Sequence, residues 1–220
     1  MDNPYQPPST GEPPPPPPLP RRVSGLKDPR LLGLASLVFY AISLSAEVME
    51  HFGRTFAAGV PLSGEGHLHD TYYIVAEGLR PLEWLMLGAM LPSVILYFLW
   101  KYRVARNAWI LDPGAMRITP AMAVGSYFIP LVHFVLPCRA MAEIARASYG
   151  STTGVAIWWT TQLVAMVAGL ALGFTTGPEG FAARPTSAEH LYLGWSIFTF
   201  VCAWQIVMRI TRAQSARAAA

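Results

Sequence analysis

Four apolar blocks, at 31–52, 81–100, 155–174 and 190–208, restrict this chain more than any other feature of it. Each is about 20 residues long, which is the length of helix that crosses the hydrocarbon core of a bilayer. The charge that separates them is sparse. Apolar residues make up 53% of the chain and charged residues 13%, roughly half the charged share of an average soluble domain. The fold class expected is therefore all-α, a bundle of four transmembrane helices in a multi-pass membrane protein. The net charge of +3 is spread between the blocks. That distribution suits topology signals and not a nucleic-acid footprint, so no nucleic-acid partner is expected. Cys138 and Cys202 are placed at the cytoplasmic face and inside a membrane helix, which argues against a disulfide or a thiolate metal site.

The basic residues set the sides. Arg21, Arg22, Lys27 and Arg30 precede the first block, Lys101, Arg103 and Arg106 follow the second, and Arg209, Arg212 and Arg217 follow the last. By the positive-inside bias both termini are cytoplasmic. Residues 1–29 are rich in proline, with an unbroken run from Pro13 to Pro18 that favours polyproline II. Too little apolar surface accompanies them to offset the cost of ordering, so a disordered tail is expected. Its P-P-L-P-R-R segment has the form of a ligand for an aromatic groove. The plainer reading is a solvated spacer ending in a basic anchor. A membrane domain then occupies 30–212, with a flexible tail at 213–220.

The block between the second and third spans has to be accounted for separately. Residues 101–119 carry Lys101, Arg103, Arg106 and Arg117, and residues 138–154 carry Arg139 and Arg146. Both flanks belong on the cytoplasmic side, so residues 120–137 cannot cross once. They also hold Pro120, Pro130 and Pro137, and an interior proline costs a helix about 3 kcal/mol or more. Irregular backbone survives at membrane depth only where protein or a wet cavity covers it. The 120–148 stretch is therefore expected to be a re-entrant or interfacial element on the cytoplasmic face. Its second half, 139–148, reads as an amphipathic helix with Met141, Ile144 and Ala145 toward lipid and Arg139, Glu143 and Arg146 polar. His133, beside a proline, can titrate near neutral pH or can simply bond a freed carbonyl.

Polar residues inside the first block are the next signal. Ser36, Tyr40, Ser43, Glu47, Glu50 and Arg54 follow one another at steps of three or four, which aligns them on one side of a helix. Lipid would reject that row, so it faces other helices or a wet cavity. Ser43, Glu47 and Glu50 are its candidate intramembrane members. Glu47 is either a handle for a proton or cation, or an interfacial carboxylate paired with Arg54 or Arg80. His67, His69 and Asp70 lie on a loop flanked by glycine, but lack the distant partner that a structural metal site has, so no metal is assigned. Ala165, Gly169 and Gly173 repeat every four residues and let a neighbouring helix approach closely. Arg103, Arg106, Asn107, Arg139 and Glu143 are expected to converge at the cytoplasmic mouth. There they either bind an anionic ligand or lipid headgroup, or serve as topology signals with a structural Arg–Glu143 pair.

The same central residues carry a resemblance. Tyr102, Arg103, Arg106, Asn107 and Ala108 form Y-R-x-x-R-N-A, followed by Thr119–Pro120, Phe128 and Pro130, Pro137, Glu143–Ile144, the Trp158–Trp159 pair and Arg209. In this order they resemble an uncharacterised bacterial membrane family, domain of unknown function 4328, over about residues 80–213. Members tend to have an amide at the place of His133, an aromatic residue at that of Cys138, and often tryptophan at those of Ser126 and Tyr127. The resemblance implies a membrane bundle in a bacterial inner membrane and no known activity.

No nucleophile elbow, zinc-protease helix, phosphate loop or dinucleotide fingerprint occurs. Neither a catalytic activity nor a cofactor is expected. The first functional reading is a non-enzymatic scaffold, recruitment or sensing module, whose partners are the bilayer and a protein that takes the proline tail. The alternative is a small oligomeric transporter or channel that uses the polar face of the first helix.

Overall fold

The computed structural model describes the backbone of residues 25–59, 67–180 and 186–219; within its helices, the side chains at 57–59, 67–73, 75–76 and 175–180 lie outside the described set. Six α-helices and two 3₁₀ turns make up the described chain. They are α1 (Arg30–Gly59), α2 (His67–Leu111), α3 (Pro120–Gly125), turns at Ser126–Phe128 and Val132–Phe134, α4 (Leu136–Tyr149), α5 (Val155–Gly180) and α6 (Ser187–Ala219). No strand occurs among the described residues. Four of the helices hold segments long and apolar enough to cross a membrane: Arg30–Phe56, Glu77–Leu111, Val155–Phe174 and Ser187–Ala219.

The block between the second and third of these folds back on itself. Pro120–Phe128 and Val132–Tyr149 meet at 118°. Local chemistry fixes both halves. Thr119 caps α3, its hydroxyl accepting the Met122 N–H at 3.2 Å, and Pro120 takes the first helical position, where no amide donor is missed. Pro137 opens α4 in the same way, and Gly150 closes it in the left-handed region (φ +77°), donating to the Arg146 carbonyl at 2.8 Å. Pro130 lies exposed in the bend.

Helices run past the membrane blocks by several turns. α2 passes through Pro81 and Pro92 and reaches Leu111, so the second span does not begin at Pro81. α6 continues to Ala219 with Gln214 and Ser215 buried. The 213–220 segment is thus mostly helix and not a flexible tail. Where α1 starts, α2 ends, α5 starts and α6 ends, the extensions pack around α4; this is called the basic end below. Here Trp100, Lys101, Val104, Ala105, Ala108, Met141, Ile144 and Ile210 have no exposed surface. The apolar face of α4 therefore packs into protein and not toward lipid, because the long ends of α2 and α6 are there to receive it. α1 comes close at Gly33, where a Cβ would stand 2.9 Å from the Trp100 indole nitrogen and 3.0 Å from the Thr211 hydroxyl.

Toward the far end the bundle turns its apolar residues outward, as lipid allows: Trp84, Leu91, Ile95, Val167, Leu170 and Leu191 are all exposed. α1 packs along α2, and α5 along α6, with α1 against α6 between the pairs. α2 and α5 hardly touch, which leaves a crevice between them floored by α1 and α6.

Candidate functional site

The basic end is a hydrogen-bonded lattice. Asn107 on α2 donates from Nδ2 to the Lys27 carbonyl at 2.8 Å and to Gln214 Oε1 at 2.9 Å, and its Oδ1 accepts the Lys27 N–H at 3.1 Å. Gln214 on α6 donates in turn to the Val104 carbonyl at 3.0 Å and to the Ser148 hydroxyl at 2.9 Å. One amide pair thereby ties α2, α4, α6 and the segment before α1 together. Arg103 donates to the Asp28 carbonyl at 3.2 Å, and Ser215 donates to the Asp28 carboxylate at 2.6 Å. Residues 25–29, assigned to the tail by composition, are therefore fastened to the bundle, while the proline run lies outside the described residues. Burial alone would raise the Asp28 carboxyl. The Ser215 hydroxyl, the Arg30 N–H and the charges of Arg30 and Arg103 outweigh it and hold the group below its ordinary value.

Glu143 belongs to a second lattice. Its Oε2 accepts the N–H groups of Arg117 (2.9 Å) and Ile118 (3.0 Å), and its Oε1 accepts Arg139 Nε at 3.3 Å. The buried carboxylate clamps the 112–119 loop onto α4. Among the described residues no hydrogen bond or ion pair joins Arg103 or Arg106 to Arg139 or Glu143. The five residues grouped by sequence thus form two separate sets, and Arg106 and Arg139 are exposed. Arg103, Arg106 and Asn107 line a shallow cavity of about 200 Å³ with Lys27, Leu32 and Tyr102.

In the fold-back, His133 Nδ1 lies 3.1 Å from the Tyr127 carbonyl, and the Pro137 carbonyl accepts Lys101 Nζ at 3.3 Å. Lys101 also donates to the Tyr127 hydroxyl at 2.8 Å and sits 4.3 Å from the centre of its ring. No carboxylate pairs with this lysine among the described residues.

The far end differs. Ser36, Tyr40, Ser43, Glu47, Glu50 and Arg54 do share one face, turned into the crevice. A cavity of about 440 Å³ opens there, lined by Tyr40, Ser43, Glu47, Glu50, His51 and Arg54 of α1, Met86 and Met90 of α2, Ala165, Gly169 and Gly173 of α5, and Glu189 and Tyr192 of α6. The small residues of α5 act in two ways. Gly169 lets Tyr192 approach, since a Cβ there would meet the phenol oxygen at 2.9 Å. Ala165 and Gly173 leave the cavity unfilled. Arg54 bridges Glu50 (3.3 Å) and Glu189 (3.5 Å). Arg80 pairs with Glu77. Glu47, half-buried, has no ion pair or hydrogen bond among the described residues. His51 is 5% exposed, its ring 4.6 Å from that of His190, and its Nε2 has no partner.

Sequence periodicity found Ser43, Glu47 and Glu50 but missed His51 and Glu189. His51 stands four residues after Glu47, one turn along the same helix, and that spacing was the available signal. Glu189 reaches the cavity only through the packing of α6, and no local pattern announces it. Lys101 reads as a topology charge in sequence and is buried in the fold. The side chains of His67, His69 and Asp70 lie outside the described residues, and among the described ones no group of three metal-ligating side chains forms.

A family model described as Domain of unknown function (DUF4328) matches residues 79–213. Neither a curated protein nor a solved structure matches the chain. The matched stretch holds the fold-back, the Glu143 clamp and Arg103, Val104, Asn107 and Ser148 of the basic-end lattice, whereas Lys27, Asp28, Gln214 and Ser215 of that lattice lie outside it, as do Glu47, Glu50 and His51.

Proposed function

The chain belongs to the family described as domain of unknown function 4328, and from that premise, which supplies no activity, we propose a multi-pass protein of the bacterial inner membrane that binds a small cation in its acidic crevice and passes it across. In this reading both termini and the basic end are cytoplasmic, as the positive-inside bias suggests. The observation that carries it is Glu47. A carboxylate held at membrane depth is costly unless something neutralises it. Among the described residues the guanidinium that lines the cavity, Arg54, bridges Glu50 and Glu189, and Glu47 faces open cavity. Among the described lining residues three carboxylates face one arginine, which favours a positive occupant, and Tyr40, Ser43 and Tyr192 add neutral oxygens around it.

The recruiting role suggested by the proline run is the second reading, and the close attachment of residues 25–29 favours it in one respect. That attachment fixes the point from which such a tail would extend. The two readings separate in reconstituted vesicles. Proteoliposomes carrying the full chain should move a monovalent inorganic or small alkylammonium cation, and Glu47→Gln should abolish that flux while leaving insertion unchanged. Equal flux in wild type and Glu47→Gln, or none with any member of such a panel, would overturn the cation reading.

A further inference from the structure

Below the acidic cavity, toward the basic end, the crevice holds a second chamber of about 290 Å³. Tyr40 and Met90 border both rooms. The lower one is walled by Leu37, Val94, Ala203 and Val207, and Tyr97, Tyr127, Trp158 and Gln162 are among the polar side chains on its walls, with the hydroxyls of Ser36 and Ser93 already bonded to the Gly33 and Ser36 carbonyls. It contains no carboxylate or cation, so its occupant differs in kind from that of the upper room.

The direction of its hydrogen bonds can be worked out. Lys101 Nζ donates to the Tyr127 oxygen at 2.8 Å. The Tyr97 and Tyr127 oxygens lie 3.1 Å apart, and either could donate on geometry alone. Only one of the two phenol protons can lie between the oxygens, and with Lys101 already on the Tyr127 oxygen the arrangement in which Tyr127 donates to Tyr97 gives each oxygen one proton to accept. The chain therefore runs from Lys101 to Tyr127 to Tyr97. The Tyr97 proton is left without an acceptor among the described residues, on a wall of the chamber. A second donor stands on the opposite helix. Trp158 is 3% exposed, lines the chamber, and its indole N–H has no hydrogen-bond partner among the described residues. A half-buried phenol from α2 and a buried indole N–H from α5 thus border one apolar room. Such groups are costly when left unpaired.

We propose that this chamber binds the carbonyl end of an apolar, membrane-soluble molecule, with the carbonyl oxygen accepting from the Tyr97 hydroxyl and the Trp158 indole N–H. The gap between α2 and α5 gives lateral entry from lipid, so the occupant need not pass through water. The volume suits a ring or a short acyl head and not a whole lipid, since it lies near the lower end of ligand pockets, at roughly 300 Å³. Two sources share this chemistry, a quinone ring and the ester carbonyl of an acyl chain. The inference does not depend on the cation reading, which concerns the upper room.

The full chain, purified in detergent, should be titrated with a benzoquinone bearing a ten-carbon tail, a fatty-acid methyl ester, and a carbonyl-free alkylbenzene of similar size. Binding is read by isothermal calorimetry. At least one carbonyl compound should bind about tenfold or more tighter than the alkylbenzene, which corresponds to one good hydrogen bond lost. The compound that does so identifies the source. Tyr97→Phe and Trp158→Phe should each cut that preference several-fold, and Val94→Ala, which touches the same room but offers no donor, should keep it. Thermal unfolding of each variant distinguishes lost binding from lost fold. Equal affinity for all three compounds, or a preference unchanged in both donor variants while they remain folded, would overturn the proposal.

Discussion

The two ends of the bundle differ in how they treat their most deeply placed amide and acidic side chains. At the basic end Asn107, Gln214, Ser148 and Glu143 are nearly or fully buried and bond to backbone or to one another. At the far end half-buried Glu47 and buried His51 face a cavity, and among the described residues Glu47 has no ion pair and His51 Nε2 no hydrogen-bond partner. A buried polar group with every partner supplied rigidifies the fold around it, and one without partners is a cost the fold carries. The contrast separates residues that hold the helices together from residues that remain available to something else. It also runs against charge as a guide: the arginine-rich end is the structural one.

Substitutions should widen that difference, and the largest effect is expected at Gln214. Gln214→Leu leaves the Val104 carbonyl, the Ser148 hydroxyl and one Asn107 proton without their partner. Each buried group so stranded costs about 1–3 kcal/mol, and a loss of roughly 3 kcal/mol overall is expected in chemical denaturation in detergent. Glu47→Gln, by the same measurement, should be neutral or slightly stabilising, because it removes an uncompensated charge and breaks no bond. If the two variants lose similar stability, the ends do not differ in the way described.

Glu143→Gln comes next. The amide oxygen can still accept one of the Arg117 and Ile118 N–H groups, but the charge-assisted character of both bonds and the contact with Arg139 are lost. A cost of about 1.5–3 kcal/mol is expected, concentrated locally. Hydrogen exchange should rise at the amides of Arg117 and Ile118 before the helices open. Unchanged exchange there would mean that Glu143 does not clamp the loop.

Much of this was legible beforehand, for identifiable reasons. The spans follow from apolar length, and the shared face of Ser43, Glu47 and Glu50 follows from helical spacing, both of which are local. The proline-marked fold-back between Pro120 and Pro137 follows from local backbone chemistry, and the structure places a 118° bend in it. What the sequence could not show depends on partners distant along the chain. Asn107 meets Gln214 across 107 positions, and Ser215 meets Asp28 across 187. Composition assigned residues 25–29 and 213–220 to tails because each is polar in isolation. Together they supply each other's partners. The lipid-facing role expected of Met141, Ile144 and Ala145 failed for the same reason, since an amphipathic helix shows one apolar face whether lipid or protein covers it.

Asp28 sharpens the comparison at its weakest point, the rim of the basic end. Its carboxyl is held low against the effect of burial by Ser215, the Arg30 amide and two arginine charges. A group whose folded value lies below its unfolded one stabilises the fold above the unfolded value, near 3.9, and loses that contribution as pH falls through the folded one. Asp28→Asn should therefore cost stability at pH 7, and the gap from wild type should close as pH drops below about 4. The carboxylate is half exposed, its side chain at 53%, and water screens it, so the cost is at most about 0.5 kcal/mol. Thermal unfolding of both proteins across pH 3–7 measures it. A gap that persists unchanged at pH 3 would mean that Asp28 acts by hydrogen-bond shape and not by charge. The fastening of residues 25–29 would then rest on Asn107 and Lys27, whose bonds do not titrate in that range.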